Sequence, residues 1–335
     1  MNSKVFKRID FNIENDISEI PELELYFSMN EAQLLHIFEP EIGLFAVESP
    51  MVIERALMAG YEPRSFVMID SVADEMSRRF EEIVNSVVMQ EGLLKKTSAE
   101  ATQDMLCETL QEIPVYVSDY ETITRLTGVN ITRGVLALMK RRPLPMLSQV
   151  VQGTRRIAVL DDIENPTNVG ALFRSAAALG IDAVILTGAS SDPLYRRASR
   201  VSVGNVFLTK WTRLSDKTSG RSNKTDKTAQ TEKAAKADKT GYSTINNTGY
   251  IKELQELGFK TAAMALSDTA IDIRDSRLKN EEKLAIILGN EGVGLSDEII
   301  RSSDYVVKIP MTEGVDSLNV AAASAVAFWE LSLNK

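Results

Sequence analysis

The second half of the chain alternates between short apolar runs and stretches with helical spacing. Unbroken apolar runs such as RIAVL at 156–160 and LAIIL at 284–288 are typical of strands that are buried on both faces. Between such runs, the stretch 168–180 carries apolar residues at helical spacing and ends in a glycine. Its predicted buried face consists of Val169, Leu172, Phe173, Ala176 and Ala177. The alternation predicts a parallel sheet with helices on both faces over 153–335.

The region 41–142 shows the same alternation of apolar runs and helical stretches over a shorter length of chain. Four strands are predicted from GLFAVES, SFVMID, IPVYVS and GVLALMK. A helix is predicted over PMVIERALMAG, and the face it should bury is Val52, Ile53, Ala56 and Leu57. The pattern therefore predicts a small α/β layer domain at 41–142. An acidic extension at 1–40 precedes this domain, and a linker at 143–152 with two prolines follows it.

The pattern breaks after NVFLTKW at 205–211, which itself predicts a further strand. The stretch 215–240 contains no Val, Ile, Leu, Met, Phe, Trp or Tyr. Such a composition cannot bury enough apolar surface to offset the entropy of ordering the chain. We therefore expect a disordered insertion within the second domain. A solvated surface loop is the favoured interpretation, and an arm that grips RNA is the alternative.

The amino-acid composition limits the kinds of catalytic and metal site that the chain can form. The chain has 335 residues, a length that suits two domains. Its single cysteine, Cys107, excludes an internal disulfide and a cysteine-based zinc site. The single histidine, His36, lies among apolar residues and is expected to pack in a helix or lie at the surface. Chemistry that depends on a histidine base is therefore disfavoured, and no metal is expected.

Charge and hydropathy bear on location and partners. The net charge of −9 argues weakly against a nucleic-acid partner, but basic clusters leave room for local positive faces. These clusters are Lys140-Arg141-Arg142, Arg155-Arg156 and Arg196-Arg197-Arg200. The N-terminal sequence shows no secretory signal, and no apolar stretch is long enough to span a membrane. We expect a cytoplasmic protein with no membrane partner.

Three loops of the second half bring polar residues to predicted helix starts. The first is ENPTNVGALFR at 164–174, the second is LGNEGVGL at 288–295, and the third is IPMTEGVDSLNVAAA at 309–323. In open parallel sheets, ligands bind outside the carboxyl ends of strands, and each loop is predicted to lie there. The polar candidates are Asn168, Arg174, Glu291, Ser317 and Asn319.

The glycine-rich second loop does not fit a phosphate cradle. Its glycines follow the order Gly289-x-x-Gly292-x-Gly294, whereas a dinucleotide fold needs G-x-G-x-x-G. A G-x-x-x-x-G-K-[ST] sequence is also absent. The carboxylate of Glu291 would in addition repel a phosphate. A dinucleotide-dependent oxidoreductase is therefore a disfavoured alternative.

Taken together, the three loops resemble the signature motifs of a known family. The stretches N-x-G-A-x-x-R at 168–174, L-G-N-E-G-x-G-L at 288–295, and I-P-M with S-L-N-V-A at 309–321 look like those of the SpoU (TrmH-like) RNA 2′-O-ribose methyltransferases of the SPOUT superfamily. The resemblance covers about 153–335. More weakly, 43–70 and 127–140 resemble the small RNA-binding domain that often precedes the catalytic one. That domain usually has Glu-Gly where this chain has Glu48-Ser49.

The resemblance implies a fold, a cofactor and partners. It implies a deep trefoil knot in the C-terminal domain, a homodimer with sites at the subunit interface, and structured tRNA or rRNA as substrate. It also implies S-adenosylmethionine as methyl donor, held by Leu288, Gly289, Ile309, Met311 and Leu318. Phosphates of the RNA would be contacted by Arg197 and Arg200. Trp211 and Trp329 are expected in the core or at the dimer interface.

The resemblance further implies roles at the reacting hydroxyl. Arg174 would stabilise the developing alkoxide electrostatically, because arginine stays protonated in proteins. Asn168, Ser317 and Asn319 would orient Arg174 and the ribose, while N-capping of helices is the structural alternative for Asn168 and Ser317. Glu291 would orient loops or lie near the cationic donor, with a purely structural role equally open. A knotted RNA-binding protein without activity remains the main alternative function.

Overall fold

The computed structural model divides the chain into two compact units. Unit 1 comprises Met1–Arg142 and Leu194–Leu208, and unit 2 comprises Pro143–Pro193 and Thr209–Lys335. The residues that the structure describes are 6–12, 20–27, 31–36, 43–96, 112–127, 131–187, 189–216, 243–245, 248–315 and 317–333. Cys107, the side chain of His36 and the predicted insertion beyond Asp216 lie outside them. Within the described ranges, no helix is long and apolar enough to cross a membrane.

The strands and helices are listed here in chain order. The strands are β1 (Phe6–Asp10), β2 (Leu44–Glu48), β3 (Pro63–Ile69), β4 (Ile113–Ser118), β5 (Val135–Lys140), β6 (Arg156–Leu160), β7 (Ala183–Leu186), β8 (Lys210–Asp216), β9 (Ser243–Ile245), β10 (Lys260–Met264), β11 (Ile271–Asp272), β12 (Leu284–Leu288) and β13 (Tyr305–Lys308). The helices are α1 (Pro21–Phe27), α2 (Glu31–His36), α3 (Pro50–Met58), α4 (Asp70–Lys96), α5 (Tyr120–Thr127), α6 (Leu147–Val150), α7 (Pro166–Ala178), α8 (Arg196–Val201), α9 (Gly249–Glu256), α10 (Ser276–Asn280), α11 (Asp297–Ser302) and α12 (Val320–Leu331).

Unit 1 is built on a five-stranded sheet in the order β1-β4-β3-β5-β2. The four strands predicted within 41–142 are all present, and α3 buries the four residues predicted for its face. The acidic stretch 1–40 also contributes to this unit, because β1 pairs in parallel with β4. The hydroxyl of Tyr26, in α1, accepts a hydrogen bond from the Leu138 amide at 3.2 Å, opposite a bulge in β3. Helix α1 therefore satisfies a backbone donor at the bulge.

A serine occupies a glycine-like backbone position at the start of α3. Ser49 has φ 84° and ψ 131°, a region that costs a residue with a Cβ atom about 1 kcal/mol or more. This is the position at which the resembling RNA-binding domain usually carries glycine. The serine in place of the family's glycine therefore strains the backbone at this position and leaves the fold unchanged.

Replacing Ser49 with glycine should stabilise unit 1. Glycine adopts positive φ without a steric penalty, so we expect a gain of about 1 kcal/mol in unfolding free energy, measured by chemical denaturation. Ser303, with φ −79°, provides the control, because Ser303→Gly should destabilise the protein slightly. A Ser49→Gly variant that is no more stable than the parent would contradict this account of the strain.

Unit 2 confirms the predicted parallel sheet. Its eight strands lie in the order β11-β13-β10-β12-β6-β7-β8-β9, and every neighbouring pair is parallel. The central strands β6, β7 and β12 are buried along their whole length, as their unbroken apolar sequences predict. Helix α7 buries Val169, Leu172, Phe173 and Ala176, but Ala177 is exposed and its predicted burial is wrong.

Two local predictions need correction. The strand predicted over 205–211 is wrong at its start, because Asn205–Phe207 form a short 3-10 helix and β8 begins at Lys210. The side chain of Trp211 is buried and meets the ring of Phe173 edge-on at a centroid distance of 6.3 Å. The segment predicted as a linker contains α6, whose Leu147 and Val150 belong to the core of unit 2.

Candidate active site

The three motif loops of unit 2 leave the sheet at one edge. The first loop follows β6 and leads to α7, the second follows β12, and the third joins β13 to α12. Because all strands of this sheet are parallel, their carboxyl ends lie at the same edge. The sheet therefore brings the polar candidates of the three loops towards a common region.

A chain of hydrogen bonds joins one residue from each loop. Asn319 Nδ2 donates to Asn168 Oδ1 at 3.3 Å, and Asn168 Nδ2 donates to Glu291 Oε1 at 2.5 Å. We call this set of three the Asn-Asn-Glu chain. Asn168, at its centre, is only 9% exposed, whereas Glu291 and Asn319 are exposed. Both hydrogen-bonding ends of the Asn168 amide are thus occupied by protein groups.

The N-caps of α7 and α12 are not Asn168 and Ser317, the residues for which the sequence left N-capping open. The side chain of Asn165 caps α7 by accepting from the Thr167 amide at 2.8 Å. The side chain of Asn319 caps α12 by accepting from the Ala321 amide at 3.0 Å. N-capping by Asn168 or Ser317 is therefore wrong. Asn319 uses its oxygen for the cap and its nitrogen for the Asn-Asn-Glu chain.

Arg174 and Ser317 stand apart from the Asn-Asn-Glu chain. Arg174 lies on α7 six residues beyond Asn168, about 9 Å further along the helix axis, and its side chain is exposed. Among the described residues, Arg174 has no hydrogen-bond or ion-pair partner. Ser317 is likewise exposed and makes no hydrogen bond within the described part of the chain. The structure thus brings three of the five polar candidates together and leaves these two open to solvent.

The glycine-rich loop is folded tightly on itself. A Cβ atom added at Gly289 would lie 2.7 Å from both the carbonyl carbon of Gly294 and the amide nitrogen of Leu295. Substitution there requires the main chain to move, so the glycine serves the packing of the loop against itself. The resemblance assigned Gly289 to the cofactor, and the packing of the loop gives a second, structural reason for a glycine at this position.

Asn290 shapes the same loop, and sequence reasoning missed it. Its Oδ1 accepts from the Gly292 and Val293 amides at 2.8 and 3.2 Å. Its Nδ2 donates to the carbonyl oxygen of Asp162 at 2.9 Å, which ties the second loop to the first. An asparagine two residues before a glycine is a known turn signal and could have identified this residue.

The predicted cofactor-binding residues flank this region. Leu288 ends β12 and is buried, while Ile309 and Met311 follow β13 and are half-buried. Leu318 precedes Asn319 and is 43% exposed. Their positions place them at the carboxyl edge of the sheet, next to members of the Asn-Asn-Glu chain in sequence.

The predicted RNA-binding arginines belong to unit 1. Arg197 and Arg200 lie on α8, and both side chains are exposed. Arg200 Nη1 forms an ion pair with Glu48 Oε2 at 3.3 Å. Sequence reasoning did not anticipate this partner, because Glu48 is distant in the chain.

Comparisons with known proteins agree with the motif loops. Residues 155–240 and 218–329 match the model of the SpoU rRNA Methylase family. The chain belongs to this family, which confirms the resemblance seen in the sequence. An uncharacterized tRNA/rRNA methyltransferase of Mycobacterium bovis is 36% identical over 218 residues. That match covers 65% of this chain and 65% of the relative, so the chain spans just under two thirds of the relative's length.

Two solved structures have the same fold. An AdoMet-bound rRNA methyltransferase from Sinorhizobium meliloti superposes with a TM-score of 0.65 at 18% identity, covering 97% of each chain. A structure described as an RNA 2′-O ribose methyltransferase superposes with a TM-score of 0.59 at 20% identity, covering 97% of this chain and 98% of the other. At these identities the likeness shows the fold.

Proposed function

We propose that this protein transfers a methyl group from S-adenosylmethionine to a ribose 2′-hydroxyl of structured RNA, either tRNA or rRNA. The observation that carries the proposal is the Asn-Asn-Glu chain, which joins all three motif loops at the carboxyl edge of the sheet. Family membership supports methyl transfer to RNA. The neighbours crystallised with AdoMet and described as a ribose methyltransferase support the cofactor and the 2′-oxygen.

The residues at the sheet edge suit a nucleoside with a sulfonium group. Leu288, Gly289, Ile309, Met311 and Leu318 would hold it, and none of them carries a charge. The partly exposed side chains of Ile309, Met311 and Leu318 offer apolar contacts to an adenine ring. The nearby carboxylate of Glu291 favours a cation over a phosphate. When bound, S-adenosylmethionine supplies an activated methyl group.

Exposed polar residues of the protein would hold the ribose hydroxyl and the adjacent phosphate in place. The reaction forms a bond from the ribose oxygen to the methyl carbon and breaks the bond from that carbon to sulfur. The hydroxyl proton leaves to a phosphate or to water. Arg174, exposed and permanently charged, would bind the adjacent phosphate and stabilise negative charge on the oxygen. The exposed hydroxyl of Ser317 would hydrogen-bond to the ribose.

Asn168 has a positioning role in this scheme. Its amide is bonded at both ends, to Glu291 and to Asn319, which fixes the orientation of the side chain. It would thereby fix the Glu291 carboxylate and the start of α12 relative to α7. Glu291 retains a second carboxylate oxygen that can face the cationic donor.

Labelled methyl transfer separates this function from its alternatives. Purified protein should incorporate tritiated methyl groups from S-adenosylmethionine into total RNA. An RNA-binding protein without activity would bind RNA but incorporate no label. Calorimetry should give binding of S-adenosylmethionine and S-adenosylhomocysteine but not NAD, whereas a dinucleotide-dependent enzyme would bind NAD.

We also propose a cytoplasmic homodimer with the trefoil knot implied by the family. The last helix supports an interface, because α12 is apolar around most of its circumference. Trp329 on this helix is 70% exposed, and Val326 is also exposed. A large exposed aromatic ring on such a helix is typical of a subunit interface.

Replacing Trp329 with glutamate should therefore give a monomer. A charge buried at a subunit interface without a partner costs several kcal/mol, enough to dissociate a dimer at micromolar concentration. Light scattering after size exclusion measures the change. Leu266→Glu is the control, since Leu266 is exposed in the same unit and should leave the oligomeric state unaltered. A Trp329→Glu variant with the mass of a dimer would contradict the assigned interface.

A further inference from the structure

A buried carboxylate in unit 1 lies beneath the basic helix α8. Glu48 ends β2 and is only 3% exposed. Its Oε2 lies 3.3 Å from Arg200 Nη1 and 3.9 Å from Arg196 Nε. Arg196 and Arg200 are four residues apart and share one face of α8. One carboxylate therefore faces two guanidinium groups.

Both arginine side chains remain partly exposed beside this contact. The side chain of Arg196 is 33% exposed and that of Arg200 is 46% exposed. A guanidinium has five N–H donors in a planar fork, so Arg200 can present donors on its exposed side while one edge faces Glu48. With Arg197 exposed on the same helix, the group keeps a net positive charge despite the carboxylate.

A second contact fixes the chain just after α8. Arg55 of α3 donates from Nη1 to the carbonyl oxygen of Val203 at 2.6 Å and to Asn205 Oδ1 at 2.7 Å. Gly204 has φ +77°, and a Cβ atom there would lie 3.0 Å from Arg55 Cδ. The ring of Phe207 then meets that of Tyr61 edge-on at 5.3 Å. The segment that carries the arginines therefore packs closely against α3 and β2.

We propose that Glu48 is a positioning residue for RNA binding, which holds Arg200, with Arg196 beside it, so that the outward donors of Arg200 meet RNA phosphates. This inference rests on the proposed function. Free arginine side chains lose rotamer entropy when they grip a phosphate, and a buried anion that orients them in advance reduces that loss. Because Glu48 is buried and desolvated, its charge acts on the two guanidinium groups with little screening.

Neutralising Glu48 gives a test in which two physical effects have opposite signs. Glu48→Gln removes a negative charge beside the RNA site, so simple long-range electrostatics predicts tighter RNA binding. Loss of positioning predicts weaker binding. We expect the dissociation constant and KM for RNA to rise about tenfold, the size of one charge-assisted hydrogen bond. The kcat at saturating RNA and the affinity for S-adenosylmethionine should stay within about twofold.

The matched control is Glu62→Gln, which removes the same charge from another glutamate of unit 1. Glu62 forms an exposed ion pair with Lys140 at 3.1 Å, and its loss should leave RNA binding unchanged or slightly tighter. Fluorescence anisotropy measures RNA binding independently of methyl transfer. The Glu48→Gln, Arg200→Gln and double variants form a cycle in which the two effects should be strongly non-additive.

The outcomes are distinct. If the parent methylates RNA and Glu48→Gln binds RNA as tightly or more tightly, the positioning role is overturned while the proposed function stands. Additive effects in the cycle would also overturn it. If the parent neither binds nor methylates RNA, the proposed function fails and the inference fails with it. Should Glu48→Gln not fold, Glu48→Asp, which keeps the charge but shortens the side chain, must weaken RNA binding for the role to hold.

Discussion

Replacing Arg174 with alanine is expected to slow methyl transfer by about a hundred- to a thousandfold, by analogy with the loss of one oxyanion-hole donor. The affinity for S-adenosylmethionine should be unchanged, since the residues proposed to hold the cofactor lie in the second and third loops. The fold should also be unaffected, because Arg174 is exposed and has no partner among the described residues. The rate is measured as tritiated methyl incorporation into RNA, with cofactor calorimetry alongside.

Lysine should rescue little of this loss. An ammonium group is a point charge and cannot hold a phosphate and the reacting oxygen together as a planar guanidinium fork can. Arg301 supplies the control, because it is exposed in the same unit and its ion pair within the described part of the chain, with Asp297 at 4.0 Å, is a loose one. Arg301→Ala should transfer methyl groups at the parent rate. If Arg174→Ala does so too, the electrostatic role belongs elsewhere, with Ser317 the next residue to test.

Replacing Arg156 with leucine is expected to destabilise unit 2 by about 3 kcal/mol, the loss typical of removing one partner from a buried charged network. Arg156 is fully buried, and all five of its side-chain donors have main-chain acceptors. Nε donates to Leu331, Nη1 to Arg155 and Glu282, and Nη2 to Lys279 and Glu281, at 2.8 to 3.2 Å. Burial lowers the pKa of the guanidinium, yet arginine remains charged in proteins.

The positions of these acceptors explain the size of the expected loss. Leu331 is the last residue of α12, and Lys279 lies in the last turn of α10, so the cation faces the negative ends of two helix dipoles. Leucine would fill the space but leave buried carbonyl groups without donors. Denaturant unfolding of the variant measures the loss.

The neighbouring arginine is the control for this substitution. Arg155 is exposed, and among the described residues its side chain makes one hydrogen bond, from Nε to the carbonyl oxygen of Glu282 at 3.3 Å. Arg155→Leu should therefore cost less than about 1 kcal/mol. An Arg156→Leu variant as stable as Arg155→Leu would show that the carbonyl groups find other partners and that the cation is not required.

Arg156 also shows where sequence reasoning fails. As part of an Arg-Arg pair, it was a candidate for a positive surface, because adjacent charged residues are usually solvated. Whether a charge is buried depends on which carbonyl groups the fold gathers around it, and those of Arg156 come from residues up to 175 positions away. Charge patterns along a chain carry no such information.

Local periodicity, by contrast, predicted much of the fold. The burial of β6 and β12 and the buried face of α3 follow directly from the spacing of apolar residues in the sequence. The side-chain repeat of a single strand or helix is enough to determine which side chains face the core. Strand β1 was missed, since its sequence FKRID is polar and its place beside β4 is set by a long-range pairing. Helix α8 was missed because six residues are too short for a periodic signal.

The candidate site was predictable in its residues but not in its contacts. The motifs identified Asn168, Glu291 and Asn319, and the structure joins them across separations of 123 and 151 residues. The contact from Asn290 to the first loop and the role of Glu48 were missed because they appear only when a carbonyl or a guanidinium from another element is placed beside these residues.

The position of the transferred methyl group tests the central claim most directly. RNA methylated by the purified protein is digested to nucleosides and analysed by mass spectrometry. The proposal predicts that the new methyl group lies on a ribose 2′-oxygen, which also protects the adjacent phosphodiester from alkali, and that Arg174→Ala greatly reduces the signal. A methyl group on a base, or RNA that gains none while the protein binds S-adenosylmethionine, would contradict it.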